Sequence, residues 1–125
     1  MLNVVIYPKC STCQNALKWF KENEIPIKVR HIVDDKLSAQ EIEKIHKSSG
    51  LPIKKFFNTS GIKYRELELR DKVPNMRDDA CYNLLATDGM LLKRPLVYDQ
   101  LGTVTVGFKV QEFEDVWKSH EKSSK

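Results

Sequence analysis

The sequence is poor in cysteine. Three cysteines in 125 residues is a sparse and odd count, which argues against a disulfide-stapled secreted module. No apolar run approaches the roughly 18 residues that a membrane helix needs, and no signal-like leader precedes the first strand. The expectation is a cytoplasmic protein with no membrane association. Charge of one sign is also lacking: 21 basic residues against 17 acidic ones leave a net +4, with the signs interspersed. With no basic arm and no basic surface interleaved with aromatics, direct nucleic-acid binding is not expected. Repeats and low-complexity segments are absent. The chain is long enough to bury a core without metal or disulfide support.

What is present is concentrated in residues 4–21, VVIYPKCSTCQNALKWFK. The apolar run Val4, Val5, Ile6 breaks at Tyr7 and Pro8, and Ala16, Leu17 and Phe20 then recur at helical spacing. This is a buried strand, a tight turn, and a helix that begins at Cys10-Ser11-Thr12-Cys13. Unpaired amides and the positive dipole end of a helix stabilise an anion there. Thiols in such a setting have their pKa lowered to roughly 3.5–7.5 from about 8.5. Lys9 adds a neighbouring positive charge. Cys10 is therefore expected to be the more exposed and more ionised thiol, and Cys13, one turn in, the more shielded one. The spacing predicts a redox-active dithiol, with Ser11 and Thr12 forming the helix N-terminal turn.

The same CxxC spacing makes half of a zinc site, but structural zinc takes four ligands. The remaining candidates, Cys81, His31, His46 and His120, are scattered singly, so no metal is expected. His46 is expected to be a solvated helix residue. Cys81 shares a helical stripe with Leu84 and Leu85 and is expected in the core.

Along the chain, residues 27–33 alternate isoleucine and valine with Lys28 and Arg30 and predict a second strand parallel to the first. Ser38 and Glu41 form a capping box, Leu37 and Ile42 a hydrophobic staple, and Gly50 ends that helix. A short helix is expected from Pro52, a loop at residues 58–61 and another helical piece at 64–69. A helix over 76–87, capped by Asn75, is expected to end at Gly89. Residues 96–99 and 103–107 predict a hairpin, and Phe113, Val116 and Trp117 one face of a last helix. Tyr7 flanks the thiols without an assigned role, and Trp19 is expected to pack.

The order is α/β: βαβ, a helical insertion over about residues 38–89 between strands 2 and 3, then ββα. Residues 1–118 are expected to form one domain and 119–125 a polar tail. A cysteine pair at the strand-to-helix turn of such a unit is the arrangement of the thioredoxin-like fold. YPKCSTC, KKFFNTSG, KYREL, LLKRPLV and VTVGF, in that order, resemble the arsenate reductase (ArsC)/Spx family, in its Spx/YusI-like branch with a CxxC motif. The resemblance implies that Cys10 is the nucleophile, that Cys13 is the second cysteine, and that Pro95 of Arg94-Pro95 is cis and lies against the cysteines. It also implies three oxyanion-binding arginines. Only Arg94 matches one of them, the other two positions falling on Asn58 and Gly107, with Arg65, Arg70 and Lys93 as neighbouring cations.

Three functions follow as expectations. The first is a thiol–disulfide oxidoreductase with no bound cofactor, re-reduced by thioredoxin, glutaredoxin or a low-molecular-weight thiol. The second, implied by the Spx side of the resemblance, is a redox-sensing regulator that binds the RNA polymerase α-subunit. The third is arsenate reduction, weakened by the two missing arginines, since each charged hydrogen bond lost costs about 1.5–3 kcal/mol of binding.

Overall fold

A computed structural model of the chain describes residues 1–118; the expected tail at 119–125, including His120, lies outside the described residues. The chain runs β1 (Leu2–Ile6), α1 (Ser11–Glu22), β2 (Ile27–His31), α2 (Ala39–Ser49), a 3-10 turn (Ile53–Phe56), α3 (Ile62–Glu66) and α4 (Leu69–Lys72). It continues through a 3-10 turn (Val73–Asn75), α5 (Asp78–Thr87), a 3-10 turn (Gly89–Leu91), β3 (Leu96–Tyr98), β4 (Val104–Val106) and α6 (Val110–Phe113). A π-helical turn, Glu114–Lys118, closes the described chain.

The four strands form one sheet in the order β2-β1-β3-β4. β1 and β2 are parallel, as a strand–helix–strand crossover requires, and β3 is antiparallel to both β1 and β4. β1 is central and covered on both faces, which is why it reads as a continuous apolar run. Its side chains alternate between two cores. Leu2, Val4 and Ile6 join Val97 beneath α1 and the C-terminal turn, with Cys13, Phe20, Phe113 and Trp117. Val5 joins Leu96 on the opposite face, beneath the helical insertion. In the first core Trp19 meets Phe113 edge-on at 5.3 Å, and the buried indole of Trp117 donates to Thr105 Oγ1 at 2.9 Å. These contacts fix α1, and with it Cys13, against the sheet.

Several elements match their sequence signals. Ser38 caps α2 in a reciprocal box with Glu41, and Gly50 ends it at φ +70°. Arg30 then ties β2 to α2 through a two-pronged pair with Glu41 at 2.6 and 3.1 Å, which holds the Glu41 carboxyl down at about 2.

Others are corrected. β2 ends at His31 rather than Val33, because the chain turns with Asp35 N–H donating to His31 O. Val29 is exposed, since β2 is an edge strand with a neighbour on one side only. α5 starts at Asp78 with no side-chain cap. Asn75 instead lies in the preceding 3-10 turn and donates to Asp71 O at 3.3 Å. Gly89 does not cap α5, which ends at Thr87. It allows close approach: a Cβ there would lie 2.1 Å from Ile32 O. His46 is only partly solvated. It shares a 2.6 Å hydrogen bond with the Tyr82 hydroxyl and packs edge-on against Phe56, where α2 meets α5. It falls four residues after Ile42 and so flanks the buried stripe. The final helix is a single α turn that widens into π geometry while still burying Phe113 and Trp117.

Candidate functional site

The site is built from the turn between β1 and α1. Cys10 N–H donates to Tyr7 O at 3.0 Å, closing the turn, and Gln14 Nε2 reaches back to Pro8 O at 2.9 Å. Cys10 itself is the N-cap of α1, with extended backbone, and its sulfur takes the capping role usually filled by a serine or aspartate oxygen. Cys13 N–H donates to Cys10 Sγ at 3.4 Å. Cys10 is half-buried and Cys13 is fully buried in the core under α1. All three cysteines are free thiols.

Two opposed environments result. Partial burial pushes the Cys10 thiol up, but the amides of Cys13 and Thr12, the Cys13 thiol and the Arg94 charge outweigh it, and its pKa falls below the ordinary value. Burial pushes Cys13 up to about 12, reinforced by its hydrogen bond to Cys10 and the charge there, while the Tyr7 amide and Arg94 act against the shift. Cys10 is thus set to ionise first, with Cys13 as the neutral thiol that donates to it. The cation acting on Cys10 is Arg94; Lys9, singled out from its place in the sequence, is exposed. Ser11 and Thr12 occupy the exposed first turn of α1, and Thr12 contributes its amide.

Arg94 comes from the loop before β3. Its Nη1 donates to Met90 O and Leu92 O, both at 3.2 Å, and its guanidinium lies over the Tyr7 ring at 5.4 Å. Its Nε is buried without a hydrogen-bond partner. The Arg94–Pro95 peptide is cis and Pro95 is buried. Tyr7, to which the sequence assigned no role, turns out to be central: its carbonyl fixes Cys10, its amide acts on Cys13, and its ring carries Arg94. The only sequence signal was its place between strand and cysteines.

Neither of the two positions that would complete an arginine set carries a cation. Asn58 closes a loop: its N–H donates to Leu91 O at 2.7 Å, and its carbonyl accepts from Gly61 N–H. Gly107 sits at φ +85°, unfavourable for any side chain, and a Cβ there would lie 3.4 Å from Lys93 Cε. Arg65 and Arg70 line a separate cleft with Tyr64, Glu68 and Asp71. Cys81 is buried on the other face of the sheet, where burial and the charges of Asp78 and Asp79 push its thiol up.

The model of the ArsC family matches residues 5–116, a span that holds every residue of this site. The chain belongs to the ArsC family. YusI of Bacillus subtilis is 50% identical over 89% of this chain and 93% of that protein. The global transcriptional regulator Spx of Bacillus subtilis is 27% identical over 90% of this chain and 83% of the regulator. A crystal structure of an ArsC family related protein from Bacteroides fragilis superposes with a TM-score of 0.86 at 49% identity, covering 91% of this chain and 97% of that one. The thioredoxin-like fold expected from the order of elements is therefore the fold of this family member. Among the described residues no helix is long and apolar enough to cross a membrane.

Proposed function

We propose that this family member is a cytoplasmic thiol–disulfide oxidoreductase whose reacting groups are Cys10 and Cys13. The observation that carries the reading is the pairing of a half-buried Cys10, whose pKa is lowered, with a buried, hydrogen-bonding Cys13 on one helical turn. Cys10 thiolate attacks one sulfur of a substrate disulfide, forming a mixed disulfide and releasing the other sulfur as a thiolate that takes a proton from solvent. Cys13 then attacks Cys10 Sγ, its proton passing to solvent, and forms the Cys10–Cys13 disulfide while the second substrate sulfur leaves as a thiolate that takes a proton from solvent. The substrate gains two electrons and the protein dithiol loses them. Thioredoxin, glutaredoxin or a low-molecular-weight thiol returns them. Ionised Cys10 lowers the barrier to the first step. Burial holds Cys13 protonated until it is called on, and the smaller part of its shift that comes from Cys10 is removed once Cys10 is in the mixed disulfide.

Similarity to Spx regulators supports a second reading, in which the same dithiol switches binding to the RNA polymerase α-subunit. Arsenate reduction ranks below both. A dianion approaching a thiolate needs positive charge to offset the repulsion, and Asn58 and Gly107 supply none. Steady-state assays with a small disulfide and with arsenate, in the intact protein and in Cys10→Ser, test the ranking. Disulfide turnover that Cys10→Ser abolishes is expected. Efficient arsenate turnover lost in that variant would put arsenate first, and redox-dependent capture of the α-subunit without disulfide turnover would favour the regulator.

A further inference from the structure

An open cleft of about 400 Å³ lies beside the loop that carries Arg94, lined by Pro52, Lys54, Lys55, Phe57, Thr59 and Lys93. Its position is fixed by the backbone. Phe57 and Leu92 form an isolated antiparallel bridge. Lys93 N–H donates to Phe56 O at 2.8 Å, and Asn58 N–H to Leu91 O at 2.7 Å. The cleft therefore shares its wall with the segment whose next residue supplies the cation acting on Cys10.

The lining holds three lysines and no carboxylate. All three lysines are exposed, and no ion pair among the described residues engages any of them. Gathered like charges repel, and a ligand of opposite sign relieves that repulsion while being steered towards the site. The arm of Lys93 also lies near the empty side of Gly107. A second cleft, of about 610 Å³, continues from the first through Lys54 and Thr59, but there Arg65 and Arg70 face Glu68 and Asp71. The larger excess of positive charge belongs to the first cleft, three lysines and no carboxylate, whereas Lys54, Arg65 and Arg70 share the second with Glu68 and Asp71; the exposed apolar element of the first is Pro52, Phe57 being buried. Open shape, spread charges and an apolar element suit an extended chain better than an enclosed small anion.

We propose that this cleft selects the substrate: an extended acidic segment next to the disulfide of a protein substrate docks there, its carboxylates pairing with Lys54, Lys55 and Lys93. Docking makes and breaks no covalent bond, and the exchange at Cys10 follows the two steps already given. The inference rests on the thiol–disulfide reading.

Two synthetic peptides carrying the same intramolecular disulfide, one flanked by three glutamates and one by three lysines, test it. The rate at which each oxidises the fully reduced protein is followed by stopped-flow fluorescence. At low salt the acidic peptide is expected to react about tenfold faster, and the advantage should fade at high salt. The Lys54→Gln/Lys55→Gln/Lys93→Gln variant should lose the preference, with circular dichroism and iodoacetamide trapping of Cys10 checking that fold and thiol survive. Equal rates for the two peptides, or a preference unchanged in the triple variant, would overturn the docking role. If neither peptide oxidises the protein, the thiol–disulfide reading falls, and docking is decided separately on Cys10→Ser. There, salt-sensitive binding of the labelled acidic peptide that the three glutamines remove supports the cleft, and absence of binding rejects it.

Discussion

The amide of Cys13 donates to the sulfur of Cys10 at 3.4 Å, so one cysteine both caps the helix and faces the thiol that shares its turn. That contact sets the two sulfurs apart chemically. The capping sulfur gains from being an anion, and the buried one, beside it, does not.

Mild oxidation with diamide should join Cys10 to Cys13 within one chain and leave Cys81 free, because Cys81 lies in the core on the opposite face of the sheet. Alkylation, digestion and mass spectrometry read the linkage. A dominant bridge from Cys10 to Cys81 would contradict the site.

Cys10 should titrate below both other thiols. Iodoacetamide labelling across pH in single-cysteine variants gives each curve, and Arg94→Met should move the Cys10 curve to higher pH by removing the cation that favours its thiolate. Since amides also act on the sulfur, the shift should be partial. A Cys10 curve unmoved by Arg94→Met would leave the amides alone as its cause.

Glu41 gives the fold an acid-sensitive joint. Its carboxyl is held at about 2 by Arg30, with the Ser38 amide helping. A group depressed in the folded state contributes stability that is complete above its unfolded pKa, near 4.5, and is lost as pH falls towards 2. Urea melts from pH 6 down to about pH 2 should show that loss, and Glu41→Gln should flatten it while lowering stability at neutral pH. The carboxylate is 41% exposed, so solvent moderates the effect. An unchanged pH profile in Glu41→Gln would exclude the pair as its source.

Gly89→Ala should destabilise the protein by roughly 2–3 kcal/mol, since a methyl group would collide with the Ile32 carbonyl, a backbone atom that cannot step aside alone. Gly50→Ala would meet no neighbour, and only its left-handed backbone would resist, so its cost should be smaller, about 1 kcal/mol. The two midpoints in urea compare them directly, and equal costs would mean that close packing at Gly89 is not the decisive constraint.

The sequence by itself determined the elements whose causes are local. The run Val4-Val5-Ile6, the capping box of Ser38 and Glu41, and the CxxC spacing each act within a few residues, so each could be read before any fold was known. The split between a more exposed Cys10 and a shielded Cys13 was legible for the same reason, as positions on one helical turn. Tertiary structure decided what depends on chains meeting from afar. It brought the charge of Arg94, more than eighty residues on, to act on Cys10 in place of the adjacent Lys9, and laid it over Tyr7. It turned Gly89 from a helix stop into a point of backbone contact with Ile32, and His46 from a surface residue into a partner of Tyr82. It also gathered Lys54, Lys55 and Lys93 around one cleft. Periodicity and capping report what a segment favours alone; which charges and surfaces come to face one another is fixed only when the sheet order β2-β1-β3-β4 closes the long helical insertion over its own strands.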